Sequence, residues 1–476
     1  MGQEITTDHF HKRDFHRFEQ ALAAETELLE EWFSASRFHG TDPVVGFELE
    51  AWLVDGSLQP SPSNTTFLHN LDDPLVVPEL ASFNVEINGT PQPLNGTPFT
   101  SLAEELNQTW SKGESAAADM GLGLAMVGIL PTLQPNHLNL GNMSELQRYR
   151  ALNEQVMRMR GGRPLEFQID GREHLALTHH DVMMEAGATS LQIHLQVPFH
   201  QSVDAFNAAI QLSAPMVGLC ANSPYLFGHD LWSDSRIPLF EQAVNVDPIA
   251  HSMGEGRVGF GTGYAVESLF ELFRENLDHY PVMLPMIQPG GVESLSNLML
   301  HNGTIWRWNR PLVGFDLDGN PHLRIEHRVA SAGPTVDDVV ANSLFFVGMV
   351  MGLLNGGRQI AELMPFDQAR DNFYRAAKGG MDSVIKWQSG KSIELRTLLS
   401  SELAPLAEAG FKSMELSEDE WRPWLEIIEG RVVSGQNGAV WQRRWIERNG
   451  HDMDGLLQAY MQGQRSGNPV HEWMVE

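Results

Sequence analysis

Apolar and polar residues alternate in four stretches of this chain, the period-2 pattern of a strand with one face in a core. In Val44–Asp55 (VVGFELEAWLVD), Phe47, Leu49, Ala51 and Leu53 form the apolar face and Glu48 and Glu50 the other. In Phe83–Asn88, Phe83, Val85 and Ile87 oppose Asn84, Glu86 and Asn88, with Glu79 just upstream. Leu191–Val197 sets Leu191, Ile193, Leu195 and Val197 against Gln192, His194 and Gln196. His322–Val329 sets Leu323, Ile325 and Val329 against His322, Arg324, Glu326 and Arg328. Helical periodicity predicts helices over about Asp8–Phe38, Ser101–Met120, part of Asn136–Arg160, Val203–Leu219, and from the Pro-Thr-x-x-Asp cap at Pro334 to about Leu354. Gly121–Thr132 reads as a buried strand, Gln59–Thr66 as a loop, and the chain beyond Leu354 as largely helical. The apolar helix after Pro334 suits a buried core better than a membrane span, because its uncharged run is short and holds Asn342 and Ser343. With neither a long linker nor an internal repeat, the expectation is one domain over 1–476, with a sheet core at about 44–330 and a helical part at about 336–476.

Glu48 and Glu50 lie on one strand face, with their Cα atoms roughly 6.5–7 Å apart. Alone, such a pair reads as an exposed strand. Four such faces in one antiparallel sheet would instead gather Glu48, Glu50, Glu86, Glu326 and His194 into one concavity. An oxygen-rich set of this kind suits Mg²⁺, or Mn²⁺ in its place, better than zinc. Arg324 and Arg328 flank Glu326 on the same face, and guanidinium groups there suit bidentate phosphate binding. Metal and arginine together make a clamp for phosphoryl transfer. The plainer reading is cross-strand Glu–Arg pairing, worth some tenths of a kcal/mol, on the order of 0.2–1.

Composition narrows the field. The balance of 61 Asp plus Glu against 32 Lys plus Arg, a formal charge of −29, argues against nucleic acid or an anionic membrane as partner. It also makes any arginine cluster more telling. The single cysteine, Cys220, lies in an apolar run and reads as a buried thiol in a reducing compartment. The N-terminus has no apolar signal region, so a cytoplasmic location is expected. The glycine-rich stretch HSMGEGRVGFGTGY (His251–Tyr264) contains a GxGxxG spacing, but no strand precedes it and no Gly-Lys-Ser/Thr follows. A dinucleotide or P-loop site therefore fails its context, and a loop near a ligand remains beside a plain surface loop.

The segments GFELEAWLVD, ELASFNVEIN, ATSLQIHLQVP and HLRIEHRVASAGPTVDDVVAN, in this order and with HNGTIWRWNRP, resemble the second type of glutamate–cysteine ligase family. That family belongs to the carboxylate–amine ligases with the glutamine synthetase catalytic fold. The resemblance covers roughly Val44–Asn342. It implies an α+β fold with an antiparallel β-sheet funnel flanked by helices, and a mostly helical C-terminal region. It implies ATP and Mg²⁺ as cofactors, with Glu48, Glu50, Glu79, Glu86, His194 and Glu326 as metal ligands. Arg324 and Arg328 would hold nucleotide phosphates or the developing acyl phosphate beside Glu326. The implied reaction passes the γ-phosphoryl of ATP to a carboxylate, and an amine then attacks to give an amide. For the named activity the product is γ-glutamylcysteine, a step of glutathione biosynthesis. Amino-acid recognition falls to variable loops: Arg257, Tyr264 and Arg310 are the candidates for substrate, and Arg307 for nucleotide or a substrate carboxylate. The partners expected are small molecules, with the protein a monomer or homodimer. Other readings stay open: a ligase of the same mechanism for another acid and amine, a metal-dependent amide hydrolase, or a non-catalytic paralogue.

Overall fold

The computed structural model describes residues 9–38, 42–246, 256–388 and 390–475. All four alternations are strands of one curled antiparallel sheet. Its strands are β1 (Val44–Val54), β2 (Val76–Pro78), β3 (Asn84–Asn88), β4 (Gln92–Pro93), β5 (Gly123–Ala125), β6 (Ser190–Gln196), β7 (Asn309–Phe315) and β8 (Pro321–Ser331). They run in the order β7-β8-β6-β1-β3-β2, with β4 and β5 pairing to opposite ends of β1. Register brings the polar faces together. Glu50 lies opposite Glu86, Glu48 opposite Gln192, and Glu326 opposite both His194 and Arg310. Between His327 and Ala330 the β8–β6 register shifts, so that Arg328 and Val329 together face Gln192. That is a β-bulge, a device that re-aims a side chain.

The apolar residues Phe47, Leu49, Ala51, Val85, Ile193, Leu195 and Ile325 enter the main hydrophobic cluster. Covering them are helices built for burial. They are α1 (Lys12–Ser34), α2 (Pro98–Asp119), α4 (Ser202–Leu219) and α5 (Val336–Asn355), whereas α3 (Gln147–Met159) lies on the cavity side, with Arg148, Tyr149 and Leu152 in its lining. Nearly all of α4 and α5 is buried, which is why both read as apolar on every side. Helix α5 is long and apolar enough to cross a membrane, and 94% of its apolar window is buried inside the protein. Thr335 caps it by accepting the Asp338 N–H at 3.1 Å. In the C-terminal part, α6 (Ala404–Ser413) crosses α5 so closely that a Cβ on Gly410 would lie 2.0 Å from the Gly348 carbonyl oxygen. From α7 (Glu418–Ser434), Arg431 reaches back to the Asp338 carboxylate at 2.8 Å, both groups buried.

Several elements differ from the sequence expectation. The strand expected over Gly121–Thr132 keeps only the three residues of β5. Asn64, expected in a loop, starts a helix (Asn64–Leu71), because its buried amide is held by the carbonyls of Ala81 and Asn84 and the hydroxyl of Ser144. A hairpin of Leu165–Asp170 and His174–His179 was not anticipated, although Leu165, Phe167 and Ile169 alternate inward. Of the glycine-rich stretch, His251–Glu255 lies outside the described residues, while Val258–Gly259 pairs in parallel with Trp306–Arg307. Cys220 is a buried thiol, pushed up to about 12 by burial.

Candidate active site

The polar side of the sheet opens into a cavity of about 380 Å³. Its floor carries two groups of metal-binding type. In one, Glu48, His194 and Glu326 bring one ligand atom each within 4.8 Å of the others; in the second, Glu50, Glu79 and Glu86 do the same. A two-residue step along one face of β1 separates them, because Glu48 serves the first group and Glu50 the second. Gln192 joins them: its amide donates to Glu50 at 3.0 Å and accepts from Arg328 at 2.7 Å.

Around Glu326 the charge is paired. Arg310 binds it bidentately, with both contacts at 2.8 Å, and Arg328 adds a contact at 3.1 Å. Burial works against its ionisation, but Arg310, Arg328 and His194 outweigh it and hold the carboxyl far below the usual range. His194 is pushed down by burial against the pull of Glu48 and Glu326, so its ring is neutral near pH 7. Its Nε2 lies 3.4 Å from Glu48 and 3.8 Å from Glu326, buried and without a hydrogen-bond partner, while Nδ1 accepts from Arg324 at 3.1 Å. That contact leaves the ring proton on Nε2. An ion at Nε2 therefore requires the other tautomer and a different partner for Arg324.

The second group lacks such pairing. Glu50 accepts from the Ser190 N–H at 2.7 Å and from its hydroxyl at 3.2 Å, yet burial, then Glu79, push it up to about 8. Glu86 is driven well above its ordinary value by burial, then by Glu48 and Glu79. Three carboxyls so crowded and so short of cations could hold a divalent ion. The donor set of both groups, five carboxylates and one imidazole, fits Mg²⁺ or Mn²⁺.

All six expected metal ligands thus fall in one or the other group, and the five carboxylates line the cavity with Arg324 and Arg328. Arg310 also lines it, but its guanidinium is committed to Glu326 rather than presented to a substrate. The other three expectations lie elsewhere. Arg257 is buried and donates to the carbonyls of Thr304 and Pro281. Arg307 pairs with Glu275 at 3.0 Å. Tyr264 packs edge-on against Phe366. Arginines among tryptophans carry no sign of whether they face a ligand or backbone carbonyls. Three further groups escaped the sequence reading. Gln192 was visible only as an amide on the His194 face. Arg236, the first residue of the helix Arg236–Ala243, binds the Arg328 and Val329 carbonyls of the bulge at 3.2 and 2.6 Å. Glu185, a lone acid in the apolar run VMMEAGA, lines the cavity.

An antiparallel sheet that curls around paired carboxylate groups and phosphate-type arginines is the framework of a nucleotide-dependent ligase. The model of glutamate-cysteine ligase family 2 matches residues 44–463. The chain belongs to that family and is an ATP-dependent carboxylate–amine ligase. Among solved structures it is similar to the glutamate–cysteine ligase of Francisella tularensis in complex with AMP, with a TM-score of 0.59 and 12% identity over 92% of this chain and 91% of that one. It is also similar to a bifunctional glutathione synthetase from Pasteurella multocida, with a TM-score of 0.51 and 11% identity; there it covers 93% of itself but 55% of the other chain. Among curated proteins none matches.

Proposed function

We propose that the protein joins glutamate to cysteine, forming γ-glutamylcysteine through an acyl phosphate with Mg·ATP as phosphoryl donor. The carrying observation is the pair of carboxylate groups bridged by Gln192, with Arg324 and Arg328 beside them. When bound, Mg²⁺ would neutralise phosphate charge and orient the γ-phosphoryl group. The likeness to an AMP-bound glutamate–cysteine ligase supports the nucleotide and the substrate pair. In this reading Arg328 holds transferring phosphate oxygens, and Arg324 joins it when its Nε–H leaves His194. Arg310 keeps Glu326 ionised and fixed. The carboxylate of the acid takes the phosphoryl group and ADP leaves; the free amine then attacks the acyl carbon, phosphate leaves, and the nitrogen loses its proton. The lone buried cysteine supports a reducing, cytoplasmic setting, with the protein acting as a monomer or homodimer.

The apolar wall of Leu152, Leu284, Leu298, Met299, Leu300 and Trp306 favours a second reading, an amine with a larger apolar body than cysteine. The test for both is phosphate release with ATP and Mg²⁺ across pairs of acids and amines, with the amide identified by mass spectrometry. Turnover with glutamate and cysteine supports the first pair. Turnover only with bulkier amines selects the second, and cleavage of amides without ATP would replace both by a hydrolase.

A further inference from the structure

Among the described residues, Glu185 is the one carboxylate of the cavity wall that belongs to neither metal-binding group. It stands on the short helical turn Val182–Gly187 directly ahead of β6. That turn is firmly held. Val182, Met183 and Met184 are wholly buried, and the Asp181 side chain accepts the Met183 N–H at 2.9 Å. The Glu185 Oε2 atom is buried and has no hydrogen-bond partner. Burial, then Glu79, push the carboxyl up to about 8; Glu50 adds to this and Arg328 opposes it. A buried acceptor without a donor, at the wall of the substrate cavity, calls for a cation that can hydrogen-bond.

The chemistry of the reaction says which cation. A carboxylate holds an amine in its protonated form, and an ammonium is not a nucleophile. Glu185 is therefore unsuited to the attacking amine and suited to an ammonium that takes no part in the reaction. We propose that Glu185 receives the non-reacting ammonium of the acid partner, so that it separates an amino-acid donor from a plain dicarboxylic acid. The proposal rests on the ligase reading above and makes Glu185 a specificity-determining residue rather than a seventh metal ligand.

The test compares glutamate with glutarate, which lacks only the ammonium, as acid donors for wild type and Glu185→Gln. Phosphate release is followed with ATP, Mg²⁺ and cysteine, and the melting temperature confirms that the variant folds. Wild type is expected to favour glutamate over glutarate by roughly 100-fold or more in kcat/KM. Glu185→Gln is expected to lose about 30-fold with glutamate and nothing with glutarate, while the KM for ATP and the Mg²⁺ half-saturation stay within about 2-fold. An unchanged preference for glutamate overturns the proposal. So does an equal loss with both acids together with a shifted Mg²⁺ requirement, which would make Glu185 a metal ligand. If wild type releases no phosphate with any acid, the substrate reading has failed separately. Calorimetric binding of glutamate to wild type and Glu185→Gln, with Mg²⁺ and a non-hydrolysable ATP analogue, then decides the role of Glu185: equal affinity refutes it.

Discussion

The two carboxylate groups on the cavity floor are neighbours built on opposite electrostatic plans. Glu326, with His194 and Glu48 beside it, is held by two arginines and is ionised with or without an ion. Glu50, Glu79 and Glu86 press on one another, and burial keeps Glu50 and Glu86 protonated well past the usual range. The first group is a charge arrangement completed by the protein itself. The second is left crowded and short of cations, and the same strand, β1, supplies a glutamate to each.

The sharpest way to break this comparison is to remove one carboxylate from each side. Glu326→Ala should cut turnover by on the order of 10³ or more. It should also destabilise the metal-free protein by about 3–5 kcal/mol, because Arg310 and Arg328 are left buried and uncompensated. Glu86→Ala should lose turnover comparably, yet leave the metal-free protein as stable as wild type or more so, since it relieves the crowding. Urea unfolding in EDTA measures both; equal destabilisation would erase the distinction.

A pH series probes the second group without mutation. A carboxyl whose folded pKa lies above its unfolded value stabilises the fold while protonated. For Glu50 that contribution is fully present below about pH 4.5 and is lost as the pH rises through about 8. The melting temperature in EDTA should therefore fall between pH 5 and 8, and millimolar Mg²⁺ or Mn²⁺ should restore more at pH 8 than at pH 6. A metal effect independent of pH would contradict the assignment.

Arg310→Lys should cost about 2 kcal/mol by replacing a bidentate contact with a point charge. Melting in EDTA should show that loss, while the KM of the acid substrate should rise less than 3-fold, roughly, if Arg310 serves Glu326 rather than a ligand. The smallest effect is expected at the bridge. Gln192→Ala should raise the Mg²⁺ half-saturation about 10-fold with the fold intact, as for other residues that orient metal ligands. No change would show that the two groups are set independently.

The strands and their inward carboxylates were legible because period-2 alternation reports burial directly, and a Glu or His on the opposite face stands out. Glu79 sits on no alternating stretch and entered only through resemblance. What stayed hidden depends on long-range contact. Nothing local tells that Arg310 answers Glu326 while Arg257 answers backbone carbonyls. Glu185 lies on a helical turn with no periodic pattern, so no face could be assigned to it. Asn64 starts a helix because distant carbonyls hold its amide, which overrides a loop-like local composition.

The bulge on β8 carries a consequence for how the site is assembled in time. Arg236 grips the bulge at the carbonyls of Arg328 and Val329, contacts that span 92 and 93 residues of chain, and Ser331 just beyond is tied to Asp234 across 97. Loops of that length close slowly and late. The segment holding Arg236 leaves the ribosome well before the strand it must grip. Until the two meet, β8 can pair straight through, which would turn Ala330 toward the cavity and Ser331 toward the core. A fragment carrying Arg324, Glu326 and Arg328 without that segment keeps their shared face but loses the shift that sends Ala330 to the core and Ser331 to Asp234.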